Sequence, residues 1–390
     1  MKRTAILLAA GALSLSVFAG CSAKPVTAAP EGGASGDTVK IGLNYELSGD
    51  VASYGQASVA GIKLAKDEIN AAGGINGKQI ELVEYDTKSD TAEATTLATK
   101  LMAQDKVITV IGPATSGGMK AQVQVAEKNQ VPIVSGSATA DDLTVTNGKV
   151  NEYVFRTCFN DSFQGTSAAN YSSNKLNAKT AVIIKDNSND YSKGLAASFT
   201  TQFTANGGTV IGEEAYAKGE RNFNSILTKI KGQSFDVIYL PGYYEEAGPA
   251  IKQARELGIT APILGADGYD SPKLAEAAGA GLTDVYFTNH YSSADSDPKV
   301  TKFIEDFKAA NGEEPNAFNA LGYDTMKFVA DAIGRASEPT GPAVKDAMAA
   351  TKDFAGVTGT FSVDPATHNP VKSIVFIGYK DGQIAVTEKA

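Results

Sequence analysis

The chain has 390 residues, with 35 basic and 44 acidic side chains, two histidines and no tryptophan. A net charge of −9 argues against a nucleic-acid partner, and 43% hydrophobic residues over this length can build two domains rather than one. Cys21 and Cys158 are the two cysteines, too few for a disulfide framework.

Met1, Lys2 and Arg3, the apolar run 5–15 and Val17-Phe18-Ala19-Gly20-Cys21 have the pattern of an export signal that ends in a lipobox. The run is too short to remain as a membrane span. Cleavage would make Cys21 the first mature residue and the carrier of a lipid, so residues 1–20 read as a lipoprotein signal peptide. The protein is then expected outside the cytoplasm, lipid-anchored to the cell membrane. Loss of Lys2 and Arg3 takes the basic count from 35 to 33 against 44 acids, a net of −11. Residues 21–37 are small and rich in Pro and Gly; without apolar periodicity they read as a flexible tether.

Short β-rich runs follow at 39–43, 80–85, 107–112, 131–134, 180–185, 209–213, 235–240 and 262–264. Helical spacing lies between them, as in Val59, Ile62, Ile69 and Ala72, or Leu97 with Leu101, or Ile226 with Ile230. This alternation predicts an α/β fold with parallel sheets. The two halves correspond. A strand ending near Asn44 leads to Tyr54, a helix and Ala71-Ala72-Gly73-Gly74; a strand ending at Asp186 leads to Tyr191, a helix and Ala205-Asn206-Gly207-Gly208. Pro132 stands twenty residues after Gly112, and Pro262 twenty after Gly242. The repeated register predicts two doubly wound lobes whose strand ends face each other across a ligand cleft.

Pro113 to Gly118, with Ser116 and Gly117, opens a helix on one side of that cleft; Ser137, Ala138 and Thr139 follow the next strand. Hydroxyls and free N–H groups at a helix start suit a carboxylate, although either Ser116 or Thr139 alone could be a cap or turn residue. Asp267 stands at the position of the second half equivalent to 137–139 and suits an ammonium, or forms an Asp-Gly turn. Tyr54, Tyr191 and Tyr243 follow corresponding strands and can wall an apolar pocket. A zwitterion would bridge the lobes. His290 and His368 are read as loop surface, and no H-E-x-x-H, G-x-S-x-G, Walker loop, G-x-G-x-x-G or C-x-x-C occurs. No enzyme, cofactor or metal site is expected.

Several segments together resemble the leucine/isoleucine/valine type of periplasmic binding protein. They are Ile69-Asn70-Ala71-Ala72-Gly73-Gly74-Ile75-Asn76-Gly77, Ile111-Gly112-Pro113-Ala114-Thr115-Ser116, Phe155-Arg156-Thr157 with Gln164-Gly165, Tyr191 with Gly194, and Gly322-Tyr323-Asp324. The resemblance covers about 38–385. It implies a type I fold, two α/β lobes joined by a three-crossing hinge, with lobe 1 at 38–157 plus 287–360 and lobe 2 at 158–286 plus 361–390. It implies Ser116 and Thr139 on the ligand carboxylate beside backbone at Gly117 and Ser137, Asp267 on the ammonium, and Tyr54, Tyr191, Tyr243 and Phe318 around the ligand. Branched-chain-selective members often carry glutamate where Asp267 stands, and the first-lobe disulfide of some relatives is absent here. The implied function is capture of an aliphatic amino acid by a monomer that delivers it to an ABC transporter permease. The alternative is a sensory protein using the same clamp for amino acids, amides or small organic acids.

Overall fold

The computed structural model describes residues 38–390 and the backbone of Ala34 and Ser35. The expected signal peptide, Cys21 and the rest of the tether lie outside the described residues. The first part runs β1 (Ala34–Ser35), β2 (Thr38–Tyr45), α1 (Ala52–Ala71), β3 (Gln79–Asp86), α2 (Thr91–Ala103), β4 (Thr109–Ile111), α3 (Ser116–Asn129), β5 (Ile133–Ser135), a small hairpin β6 (Val145–Thr146) and β7 (Lys149–Val150), and β8 (Val154–Arg156). The second runs α4 (Asp161–Asn174), β9 (Thr180–Asp186), α5 (Asp190–Ala205), β10 (Thr209–Tyr216), α6 (Asn224–Lys231), β11 (Val237–Tyr239), α7 (Tyr244–Glu256), β12 (Ile263–Gly265), a 3-10 turn Asp267–Tyr269, α8 (Pro272–Ala278) and β13 (Val285–Asn289). The last runs α9 (Pro298–Asn311), α10 (Ala317–Arg335), α11 (Gly341–Ala349), the hairpin β14 (Phe354–Gly356) and β15 (Gly359–Phe361), and the pair β16 (Val375–Lys380) and β17 (Gln383–Lys389).

The duplication is visible in the pairings. Strands β3, β2, β4, β5 and β8 lie side by side in parallel, and β10, β9, β11, β12 and β13 repeat that order. Helices α1 and α10 cover one face of the first sheet and α2 and α3 the other; α4 and α5 cover one face of the second, with α6, α7 and α8 opposite. That is why β4, β5, β11 and β12 are short, wholly buried runs instead of alternating ones. Asn160, Asn189 and Thr115 start α4, α5 and α3 by accepting N–H bonds from Phe163, Ser192 and Gly118. Gly74 after α1 has φ +77°, and a Cβ there would lie 2.1 Å from the Lys78 carbonyl oxygen, so the close turn requires glycine.

Three segments pass between the sheets, after β8, after β13 and between β15 and β16. The expected return at 287 falls inside β13, which stays paired in the second sheet through Asn289, so the second passage begins at His290. Residues 375–389 extend that sheet as antiparallel strands, and no strand had been expected there. The histidines also differ from expectation. Both are buried, each stacked on a phenylalanine: His290 on Phe159 of the first passage with centroids 3.7 Å apart, and His368 on Phe155 of β8 at 4.1 Å. The apolar faces of the rings are covered there instead of being exposed in loops.

Candidate functional site

The carboxyl ends of the two sheets meet around one small pocket between them. Of the expected residues, Tyr54, Ser116, Ser137, Tyr191, Tyr243, Asp267 and Phe318 line it, joined by Ala114, Thr115 and Gly268. Gly117, Ala138 and Thr139 do not line it. The tyrosines belong to helix starts and not to loops: Tyr54 and Tyr191 lie in the first turns of α1 and α5, and Tyr243 is the residue before α7.

On the first lip, Ser116 Oγ accepts the N–H groups of Thr139 and Ala140, each at 3.1 Å. With its lone pairs so used, the hydroxyl can only donate, and no protein acceptor for it is present among the described residues. The amides of Ser137 and Ala138 donate to Ser135 Oγ, so loop 137–140 offers no free N–H, contrary to the expectation of backbone donors at Ser137. The reason is Ser135, which donates to the Pro113 carbonyl and accepts the loop's amides. Glu46, at the end of β2, takes the amides of Ala114 and Thr115 and the Thr115 hydroxyl. Burial pushes its carboxyl up, opposed by those bonds. What remains is the first turn of α3, where the N–H groups of Ser116 and Gly117 precede the capped amide of Gly118. Ala138 is core, its carbonyl accepting from Arg156 and Cys158.

The second lip is acidic. Asp267 begins the 3-10 turn after β12; its Oδ1 accepts from Tyr191 at 2.6 Å, its Oδ2 lies 2.9 Å from His290 Nε2, and its N–H donates to Gln164 Oε1. Asp161, in the first turn of α4, is buried, and neither carboxylate oxygen has a protein partner among the described residues. Burial pushes its carboxyl well above the usual range, opposed by the Thr139 hydroxyl beside it. That hydroxyl also lacks a partner of good geometry. Buried polar atoms left so cost about 1–3 kcal/mol each, which favours a bound partner for Asp161 and Thr139. Thr139 thus touches both sides, its N–H on Ser116 Oγ and its hydroxyl beside Asp161.

Aromatic rings close the remainder. Tyr54 stacks on Phe318 at 4.3 Å and meets Tyr243 edge-on at 5.7 Å, while Tyr191 stacks on Tyr243 at 5.1 Å. Tyr54 OH, from the first lobe, donates to the Gly268 carbonyl at 2.5 Å and accepts the Tyr244 N–H at 3.3 Å, both in the second. Lys120 with Asp190 and Lys218 with Asp50 span the mouth at 2.8 and 3.1 Å.

Glu46, Asp161, Gln164 and His290 were not among the expected site residues. For His290 a signal existed, since it stands three residues from the expected crossing at 287. Asp161 stands between Thr157 and Gln164, but nothing in that spacing marks it as buried.

Among the described residues there is no helix long and apolar enough to cross a membrane and no His/Cys/Asp/Glu group suited to a metal ion. Residues 38–383 match the family described as periplasmic binding protein. The leucine-, isoleucine-, valine-, threonine- and alanine-binding protein of Pseudomonas aeruginosa is 30% identical over 84% of this chain and 86% of its own. The branched-chain amino acid transporter substrate-binding protein LivJ of Streptococcus pneumoniae, solved in complex with isoleucine, is 44% identical with a TM-score of 0.85, covering 90% of this chain and 99% of its own. A leucine-binding protein of Thermotoga maritima is 34% identical with a TM-score of 0.84, over 90% and 98%. These relatives bind solutes and are not enzymes. This chain, with its two like sheets and the cavity between them, belongs to the periplasmic binding protein family and has the type I fold.

Proposed function

We propose that this chain is an extracytoplasmic receptor that captures an aliphatic, branched-chain α-amino acid between its lobes and delivers it to an ABC transporter permease. The observation that carries the reading is the polarity of the cavity. A hydroxyl obliged to donate and two first-turn amides stand at one lip; Asp267 stands at the other, with Asp161 buried near it and aromatic walls between. An α-amino acid presents a carboxylate and an ammonium that answer both lips. Its side chain then lies among Tyr54, Tyr243 and Phe318. The relatives named for leucine, isoleucine and valine support the same class.

In this reading the segments at 38–157 and from about 290 to 360 move as lobe 1, the rest as lobe 2, and the three passages act as the hinge. The protein works as a monomer, held at the membrane by lipid on Cys21. No bond of the ligand is made or broken. The test is a thermal-shift and calorimetric panel over leucine, isoleucine, valine, alanine and threonine, with amides and small organic acids alongside. A ligand at about 100 times its dissociation constant stabilises the folded protein by about 2.7 kcal/mol. Silence toward every α-amino acid refutes the reading.

A further inference from the structure

Asp267 is held by more groups than a simple counter-charge requires. Tyr191 donates to one carboxylate oxygen, Gln164 fixes its backbone N–H, and His290 stands at 2.9 Å from the other oxygen. His290 opens the second passage between the sheets. Its side chain is 1% exposed, its ring lies flat on Phe159 of the first passage, and its Nδ1 has no partner among the described residues. A ring with Nε2 against a carboxylate needs its hydrogen there to donate. A second N–H on Nδ1 would be buried without an acceptor. The neutral, Nε2-protonated form therefore fits the site.

We propose that His290 is a positioning residue of this site: as a neutral donor it aims the Asp267 carboxylate at the ligand's ammonium, and on taking a proton it cancels that charge and releases the ligand. The proposal rests on the amino-acid reading above. Neutral His290 leaves the pair with one negative charge to meet the ammonium. Protonated at Nδ1, the pair is neutral overall and a cation stands behind the carboxylate, so a buried ammonium loses its counter-charge.

The charged groups facing His290 are Asp267 from the turn after β12 and Lys372 from the third passage. Burial pushes the imidazole below its ordinary value, Asp267 opposes this, and Lys372 adds to it. Asn289 Oδ1 accepts the His290 backbone N–H, and Gln164 Oε1 accepts from both Thr288 and the Asp267 N–H. Asp161 and Asp270 face Asp267 in turn. The sign follows: ligand favours the unprotonated ring, so binding expels a proton, and affinity falls as pH drops below the ring's burial-lowered value, which lies under the ordinary imidazole value of about 6.5.

The experiment is calorimetric titration of the purified full-length protein with leucine between about pH 8 and about pH 5. The wild type is expected to hold its Kd near the upper end and to bind at least about fivefold more weakly at the lower end. His290→Gln retains an N–H for Asp267 and cannot titrate, so its Kd changes less than about twofold over the range. His290→Leu offers no donor and binds more weakly than His290→Gln at the upper end. His368→Gln, altering the other histidine, keeps the wild-type profile. A wild-type Kd that stays flat overturns the proposal, and so does a His290→Gln profile that still falls, which assigns the proton to Asp161. Absence of binding to any α-amino acid at the upper pH refutes the underlying reading instead. Should His290→Gln not fold, NMR titration of the two imidazoles replaces it: the signal that persists in His368→Gln must titrate at lower pH with leucine present, and a ligand-independent titration overturns the proposal.

Discussion

Replacing Tyr54 with phenylalanine separates closure from folding. The ring stays, with its 4.3 Å stack on Phe318, while the hydroxyl that joins the lobes is lost. In the closed form the Gly268 carbonyl and the Tyr244 N–H then lose their shared partner; in an open form water satisfies both. Two such groups left in a buried place cost about 2 kcal/mol together once some water entry is allowed. All of that penalty falls on the closed state. Ligand binds through closure, so Kd rises by about thirtyfold. Calorimetry measures the Kd, and thermal unfolding without ligand serves as the control. A change in Kd of less than about threefold, or an equal loss of stability in the ligand-free protein, refutes the reasoning.

Asp267→Asn keeps the shape but removes the charge, and breaking a buried pair costs about 3–5 kcal/mol. With Asp161 still present we expect the lower end, about 150-fold in Kd, and an effect under about tenfold means that Asp267 only shapes its turn. Lys120→Gln breaks a mouth pair whose side chains are 43% and 47% exposed, so solvent screening holds its effect to about 0.2–1 kcal/mol; the ligand off-rate rises by less than about sixfold and the difference fades at high salt, whereas a salt-independent loss contradicts this. Cys21→Ser is expected to move the protein from the membrane fraction to the soluble one, and persistent membrane attachment would falsify the lipid anchor.

Much of the architecture could be read from spacing, because a duplicated unit leaves its register in the chain. Gly112 with Pro132 and Gly242 with Pro262 mark β4–β5 and β11–β12, which occupy equivalent places in sheets of the same strand order. The opposition of Ser116 and Asp267 across a cleft follows from that equivalence. Spacing does not reveal which donors are already used. Whether an amide in 137–140 is free depends on Ser135 and Ser116, and whether 114–115 can bind an anion depends on Glu46, 68 residues away along the chain from Ala114. The histidines escaped for a related reason. A ring is read as surface when its sequence neighbours are polar, yet His290 is buried by Phe159 and Asp267, which approach it through the passages and not along the chain.

The pairing of β1 with the start of β2 bears on the proposed delivery to a permease. Ala34 and Ser35 lie antiparallel to Val39 and Thr38 at the first sheet, so in the proposed reading a lipid on Cys21 would connect to the body through lobe 1. Parting of the jaws would then change the attitude of lobe 2 relative to the lobe that carries the tether. A membrane partner would in that case read ligand state from the angle between the two lobes.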